Sequence, residues 1–197
     1  MLVRFRERIN SIIEYVAKPL HRLGITPMSA TFLSAFCAVA SGGAYAVTAI
    51  PEPGSITLVV ALVFLFLAGF FDAVDGAIAR LCGRVTKFGG FMDSVLDRVG
   101  ESAVYAGAIF GGLCSVLSGL LALTTSLLVS YVRARGEASG VGMGGVGLAE
   151  RVERLVILMV ATALAQIEIG MLVIGVLGVV TIVQRVMYAH NELKMAG

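Results

Sequence analysis

Five stretches of the chain contain no Asp, Glu, Lys or Arg: residues 23–51, 55–71, 102–132, 155–167 and 169–184. A helix needs about 20 predominantly apolar residues to cross roughly 30 Å of hydrocarbon. Because these runs are continuous rather than alternating, they select helices over a barrel. Composition agrees, with 58% hydrophobic and 14% charged residues, where soluble domains carry roughly 25% charged residues. Such hydrophobicity excludes disorder, and a formal net charge of +2 does not mark a nucleic-acid binder. The three cysteines, Cys37, Cys82 and Cys114, are isolated in sequence and supply neither a disulfide framework nor a CxxC metal site. The fold class expected is an all-α integral membrane protein.

The longest charge-free run must hold one span and the start of the next, divided near Gly111-Gly112-Leu113-Cys114-Ser115. Six transmembrane helices are then expected, at about 27–49, 55–81, 90–112, 116–137, 149–168 and 170–189. Thr26 serves as N-cap of the first, with Pro27 at its first helical position. Ahead of it, Arg4, Arg6, Arg8, Glu7 and Glu14 alternate with Ile9, Ile12, Ile13, Val16 and Leu20. That pattern predicts an N-terminal amphipathic interfacial helix over 1–22, followed by one membrane domain over 23–197. No short apolar core with a small-residue cleavage site follows Met1, so a cleaved signal peptide is not expected.

Six spans place every Lys and Arg on the side of the two termini, while the opposite connections carry only Glu52 and Glu168. The positive-inside bias puts that side in the cytoplasm of a multi-pass protein of the cell membrane. A polar site within the spans then opens to the cytoplasm.

Four acids lie where hydrocarbon makes them costly: Asp72 and Asp75 near the end of span two, Asp93 and Asp97 near the start of span three. Spacings of three and four put each pair on one helical face. Joined by a short loop, the two faces would bring four mutually repelling carboxylates together, which a hard divalent cation, Mg²⁺ or Mn²⁺, would neutralise. A pair of ions, the stoichiometry expected, clamps a phosphoryl group during in-line displacement. Two other readings of the acids stand beside this one: pairing with Arg80, Arg84 and Arg98, and cation or proton transport.

Residues 72–97 read D-AV-D-G-AI-A-R-LCGRVTKF-G-GFM-D-SVL-D. This resembles the signature of the CDP-alcohol phosphotransferase family, D-x2-D-G-x2-A-R-x8-G-x3-D-x3-D, with Asp72, Asp75, Gly76, Ala79, Arg80, Gly89, Asp93 and Asp97 at the fixed positions. The resemblance implies transfer of a substituted phosphate from a CDP-lipid to an alcohol, with release of CMP. It implies that Asp72, Asp75, Asp93 and Asp97 hold metal and that Asp97 is the general base. It also implies CDP-lipid contacts from Gly76, Arg80, Thr86 and Gly89, and from Met28, Ser29, Ala30 and Thr31 at the start of span one. Met28 departs there from the frequent Pro-Asn-x-x-Thr form. Family members are commonly homodimers, and spacings such as Gly107-x3-Gly111 permit close helix contact.

Beyond span four come Ser130-Tyr131-Val132-Arg133-Ala134-Arg135-Gly136-Glu137-Ala138, a glycine-rich loop, Glu150-Arg151-Val152-Glu153-Arg154, and finally Gln184-Arg185. These segments resemble the inositol-phosphate-accepting branch of the family, made up of phosphatidylinositol-phosphate and archaetidylinositol-phosphate synthases. By that resemblance Arg133, Arg154 and Arg185 bind the acceptor's phosphate, and the acceptor is L-myo-inositol 1-phosphate. The donor is CDP-archaeol or CDP-diacylglycerol. Glycerol 3-phosphate, which also carries a phosphate, is the alternative acceptor.

Overall fold

A computed structural model describes residues 13, 15–48, 51–83 and 85–196. Among these residues the chain is helical without strands: α1, described over 15–22, is followed by α2 (Pro27–Ala46), α3 (Ile56–Leu81), α4 (Lys87–Phe110), α5 (Val116–Ala138), α6 (Arg151–Ala163) and α7 (Ile167–Ala196). Of the N-terminal helix expected over 1–22, residues 1–12 and 14 lie outside the described residues, as does Arg84.

Local chemistry fixes the helix starts. Thr26 caps α2 through a reciprocal box with Ser29, and Pro27 opens the helix. The Thr86 hydroxyl accepts from the Gly89 N–H at the start of α4, and the Ser115 hydroxyl accepts from the Ser118 N–H at the start of α5. The break between α4 and α5 falls where expected: α4 stops at Phe110 and Gly112 turns the chain at φ +66°.

α2, α3, α5 and α7 are long and apolar enough to cross a membrane, as expected of a multi-pass membrane protein. α4 has the length, but its first half carries Lys87, Asp93, Asp97, Arg98 and Glu101. α6 is shorter than the sequence expectation. A span was expected over 149–168, yet the helix has 13 residues, about 20 Å at 1.5 Å per residue. Its start is held back because Thr181 Oγ1 on α7 accepts from the N–H groups of Leu148 and Ala149, keeping that backbone out of the helix. Its end is set by a turn through Ala165, at φ +51°, with the Gln166 N–H reaching back to the Ala161 carbonyl. α7 correspondingly begins at Ile167 and runs to Ala196, beyond the 170–189 expected.

α2 packs against both α3 and α4, α5 packs against α7, and the two groups meet where α3 touches α6 and α4 touches α5. The main core, including Tyr45, Leu65, Tyr105, Leu158 and Met171, fills the space between them. α1 docks on the site-bearing end of α3, with Ala17 fully buried against Val74, Ala77 and Ile78. Large apolar side chains such as Phe32, Phe36, Val63, Phe66 and Val176 remain exposed, the surface a lipid phase would cover.

α2 and α4 approach at backbone distance. A Cβ on Gly107 would overlap the Gly42 backbone, and one on Gly111 would overlap the Tyr45 carbonyl. The Gly107-x3-Gly111 pattern is therefore used inside one chain.

Candidate active site

The short turn between α3 and α4 brings their aspartate faces together. Asp72, Asp75 and Asp93 each offer a carboxylate oxygen within 4.8 Å of the others. Asp75 is 8% exposed, and its Oδ2 accepts from the Thr31 hydroxyl of α2 at 2.7 Å. Asp93 Oδ1 is buried and lacks a hydrogen-bond partner. Three carboxylates at this separation, one of them with a buried, unpartnered oxygen, suit a cation among them. An all-oxygen donor set suits Mg²⁺ or Mn²⁺. These residues fit the divalent ion that the motif implies.

Asp97, one turn beyond Asp93, stands apart from that trio. Its Oδ1 lies 2.7 Å from an Arg151 guanidinium nitrogen and its Oδ2 lies 3.2 Å from Arg98. Arg151 also pairs with Asp72. Arg98 thus partners one of the acids, as the pairing alternative anticipated, while the orphaned Asp93 oxygen is left for something else.

Two cavities meet at Asp93. The first, about 530 Å³, is lined by Thr31, Asp75, Arg80, Thr86, Gly89 and Asp93 among others. The first turns of α2 and of α4 both border it, and positive helix ends of this kind suit an anion. The Arg80 guanidinium lies over Gly76, where a Cβ would come within 3.1 Å of it. Met28 and Gly76 line the cavity as expected. Ser29 and Ala30 do not: Ser29 is spent on the Thr26 cap and Ala30 is fully buried. Thr31→Val keeps the volume but removes the donor to Asp75. We expect its Mn²⁺ affinity, measured by titration, to fall about 10- to 100-fold.

The second cavity, about 850 Å³, is bordered by Asp93, Asp97, Arg98, Tyr131, Arg133 and Arg151. Of the three arginines expected to bind acceptor phosphate, Arg133 lines it and pairs with Glu137 at 3.0 Å. Arg154 and Arg185 do not line it; they are 2% and 1% exposed. Arg154 makes two bonds to Glu101, at 2.7 and 3.0 Å, and a third to the Ala149 carbonyl. Arg185 donates to the carbonyls of Val146 and Val129 and to Glu150. A charged side chain in an apolar helix needs such acceptors.

The family model described as CDP-alcohol phosphatidyltransferase matches residues 24–190. The chain belongs to this family.

This CDP-alcohol phosphotransferase is 34% identical over 195 residues to the archaetidylinositol phosphate synthase of Pyrococcus horikoshii, covering 99% of this chain and 100% of the other. It is 36% identical to the phosphatidylinositol phosphate synthase of Corynebacterium glutamicum, over 95% of this chain and 88% of that protein. Among solved structures, the phosphatidylinositol phosphate synthase of Mycobacterium tuberculosis with CDP-DAG bound matches with a TM-score of 0.74 and 32% identity, covering 91% of this chain and 94% of the other. The same enzyme in complex with manganese and citrate matches with a TM-score of 0.74 and 31% identity, over 90% and 88%.

One residue of the phosphotransferase site, Arg151, escaped the sequence reading. It occupies the Glu150-Arg151-Val152-Glu153-Arg154 run, in which Arg154 was singled out. The available signal was position: Arg151 opens α6, three residues before Arg154 and on a neighbouring part of the same face.

Proposed function

We propose that the enzyme transfers a lipid-phosphate group from CDP-archaeol or CDP-diacylglycerol to L-myo-inositol 1-phosphate, releasing CMP. The observation that carries this reading is the pair of cavities sharing Asp93, one bordered by the nucleotide motif and the other by Asp97 and Arg133. Donor and acceptor can then reach Asp93 from two separate cavities. The names and substrates of the relatives support the same substrates.

In this reading Arg80, Thr86, Gly89 and the start of α2 hold the CDP-lipid, with Thr31 fixing Asp75 from behind. Asp72, Asp75 and Asp93 would hold Mg²⁺ or Mn²⁺, with Asp97 beside a second ion. Bound there, divalent ions neutralise the diphosphate and stabilise CMP as a leaving group. Asp97 takes the proton of the inositol hydroxyl as its oxygen attacks the β-phosphorus. The bond from that phosphorus to the bridging oxygen breaks, and its electron pair leaves with CMP. Arg133 meets the acceptor phosphate directly, while Arg154 and Arg185, buried and paired with Glu101 and Glu150, hold the surrounding helices in place.

The proposal extends to six spans with both termini and the site facing the cytoplasm, supported by the one-sided distribution of Lys and Arg. It includes a homodimer, on the family resemblance, with an interface other than the Gly107–Gly111 face that α2 already occupies.

Purified protein with Mn²⁺ or Mg²⁺ and each CDP-lipid is offered inositol 1-phosphate, glycerol 3-phosphate or free inositol. CMP is expected with inositol 1-phosphate, and at much lower rates with the other two. CMP release with glycerol 3-phosphate alone would overturn the acceptor assignment, and ion flux through liposomes without CMP formation would overturn the enzyme reading.

A further inference from the structure

Arg151 is the side chain that links the two acidic helices. One of its guanidinium nitrogens donates to Asp72 Oδ1 on α3, and another lies 2.7 Å from Asp97 Oδ1 on α4. It borders the acceptor cavity and is 28% exposed at the side chain. Its backbone is held on both flanks. Leu148 and Ala149 are tied to Thr181 just before it, and Arg154 is tied to Glu101 and to the Ala149 carbonyl just after it. A planar fork delivered from a fixed helix start can hold two carboxylates in a defined relation, which a flexible point charge cannot.

Asp97 needs such a partner. Its neighbours Asp72 and Asp93 repel it, and until a second ion is bound beside Asp97, a cation among Asp72, Asp75 and Asp93 leaves the fourth charge to be compensated by protein groups. Arg98 contributes from the adjacent position on the same helix, but its pair with Asp97 is longer, at 3.2 Å, and its side chain is 32% exposed.

We infer that Arg151 is a positioning residue, bridging a metal-holding carboxylate to the base and aiming the Asp97 carboxylate into the acceptor cavity. The inference rests on the metal and base roles proposed above. It makes an unusual prediction, because removing Arg151 acts in opposite directions on two measurements. Asp72 loses a competing cation, so the acidic trio attracts Mn²⁺ more strongly. Asp97 loses its orientation, so turnover falls.

The test uses the full chain in detergent, with Mn²⁺ binding followed by electron paramagnetic resonance and turnover followed by CMP release. Arg151→Gln is expected to bind Mn²⁺ about 5-fold more tightly and to lose kcat about 10- to 100-fold. Arg151→Lys keeps the charge but not the fork; it should return Mn²⁺ affinity to near wild type while recovering only part of kcat. Weaker Mn²⁺ binding together with a lower Tm in Arg151→Gln would make the residue a scaffold element and overturn the inference, as would unchanged kcat. If the wild-type protein releases no CMP with any acceptor, the proposed function fails instead. The Mn²⁺ comparison then still decides whether Arg151 competes with a cation at Asp72.

Discussion

Asp97→Asn is expected to give a folded protein that binds CDP-lipid normally, keeps the Mn²⁺ site of the acidic trio and turns over about 10²- to 10⁴-fold more slowly. The substitution is nearly isosteric, and the amide oxygen can still accept from Arg151, the closer of the two arginines that hold the carboxylate, while the contact with Arg98 is given up. The acidic trio of Asp72, Asp75 and Asp93 is untouched, and so is the nucleotide cavity, which Asp97 does not line. Only the capacity to take a proton is removed. Because that capacity is used only as the hydroxyl attacks, kcat and kcat/KM should fall together, with KM nearly constant. Single-turnover CMP release alongside CDP-lipid and Mn²⁺ titrations separates these quantities. A rate near wild type would assign the base elsewhere. Intact chemistry with lost Mn²⁺ binding would make Asp97 principally a metal ligand.

What could be read from the sequence was what depends on near neighbours. Charge-free runs located α2 to α5 to within about three residues at each end, because the cost of a charge in hydrocarbon is local to each segment. The aspartate trio was legible because spacings of three and four fix a shared face before any packing is known. Gly76, Arg80, Thr86 and Gly89 were likewise carried by a compact motif, and they line one cavity together with Thr31 from the start of α2. What was not legible is decided at a distance. Whether Arg151 or Arg154 faces the acids depends on where α6 begins, and that is set by a hydroxyl on α7, Thr181, more than thirty residues away. The same contact shortens the fifth expected span. Ser29 and Ala30 share a segment with Thr31, but the capping box and the burial of Ala30 turn them from the cavity. Gly107-x3-Gly111 announced a close contact without naming its partner, which proved to be α2 of the same chain.

That contact supports the second large effect: Gly107→Leu should abolish folding where Gly43→Leu should not. The two glycines lie on the paired helices, but they differ in what a side chain would meet. A Cβ on Gly107 would collide with the carbonyl and Cα of Gly42, whereas a Cβ on Gly43 meets nothing within 4 Å. Backbone cannot change rotamer, so accommodating even one carbon at Gly107 requires the whole of α4 to withdraw from α2. Overpacking of an ordinary core costs about 1–3 kcal/mol and is relieved partly by neighbouring side chains; here that relief is missing. Between helices in a bilayer, apolar attraction does not restore a widened contact, because lipid tails solvate the exposed faces as well as leucine does. The consequence reaches the chemistry, since α2 carries Thr31 and α4 carries Asp93 and Asp97, and the nucleotide cavity lies between the starts of both helices. Gly107→Leu should therefore lose its folded peak on size-exclusion chromatography together with Mn²⁺ and CDP-lipid binding. Gly43→Leu should keep all three, with Tm unchanged or raised, because glycine is itself a poor helix former. A Gly107→Leu protein with the wild-type Tm would mean that α2 and α4 do not meet at this face, and the arrangement that brings Thr31 to Asp75 would need another support.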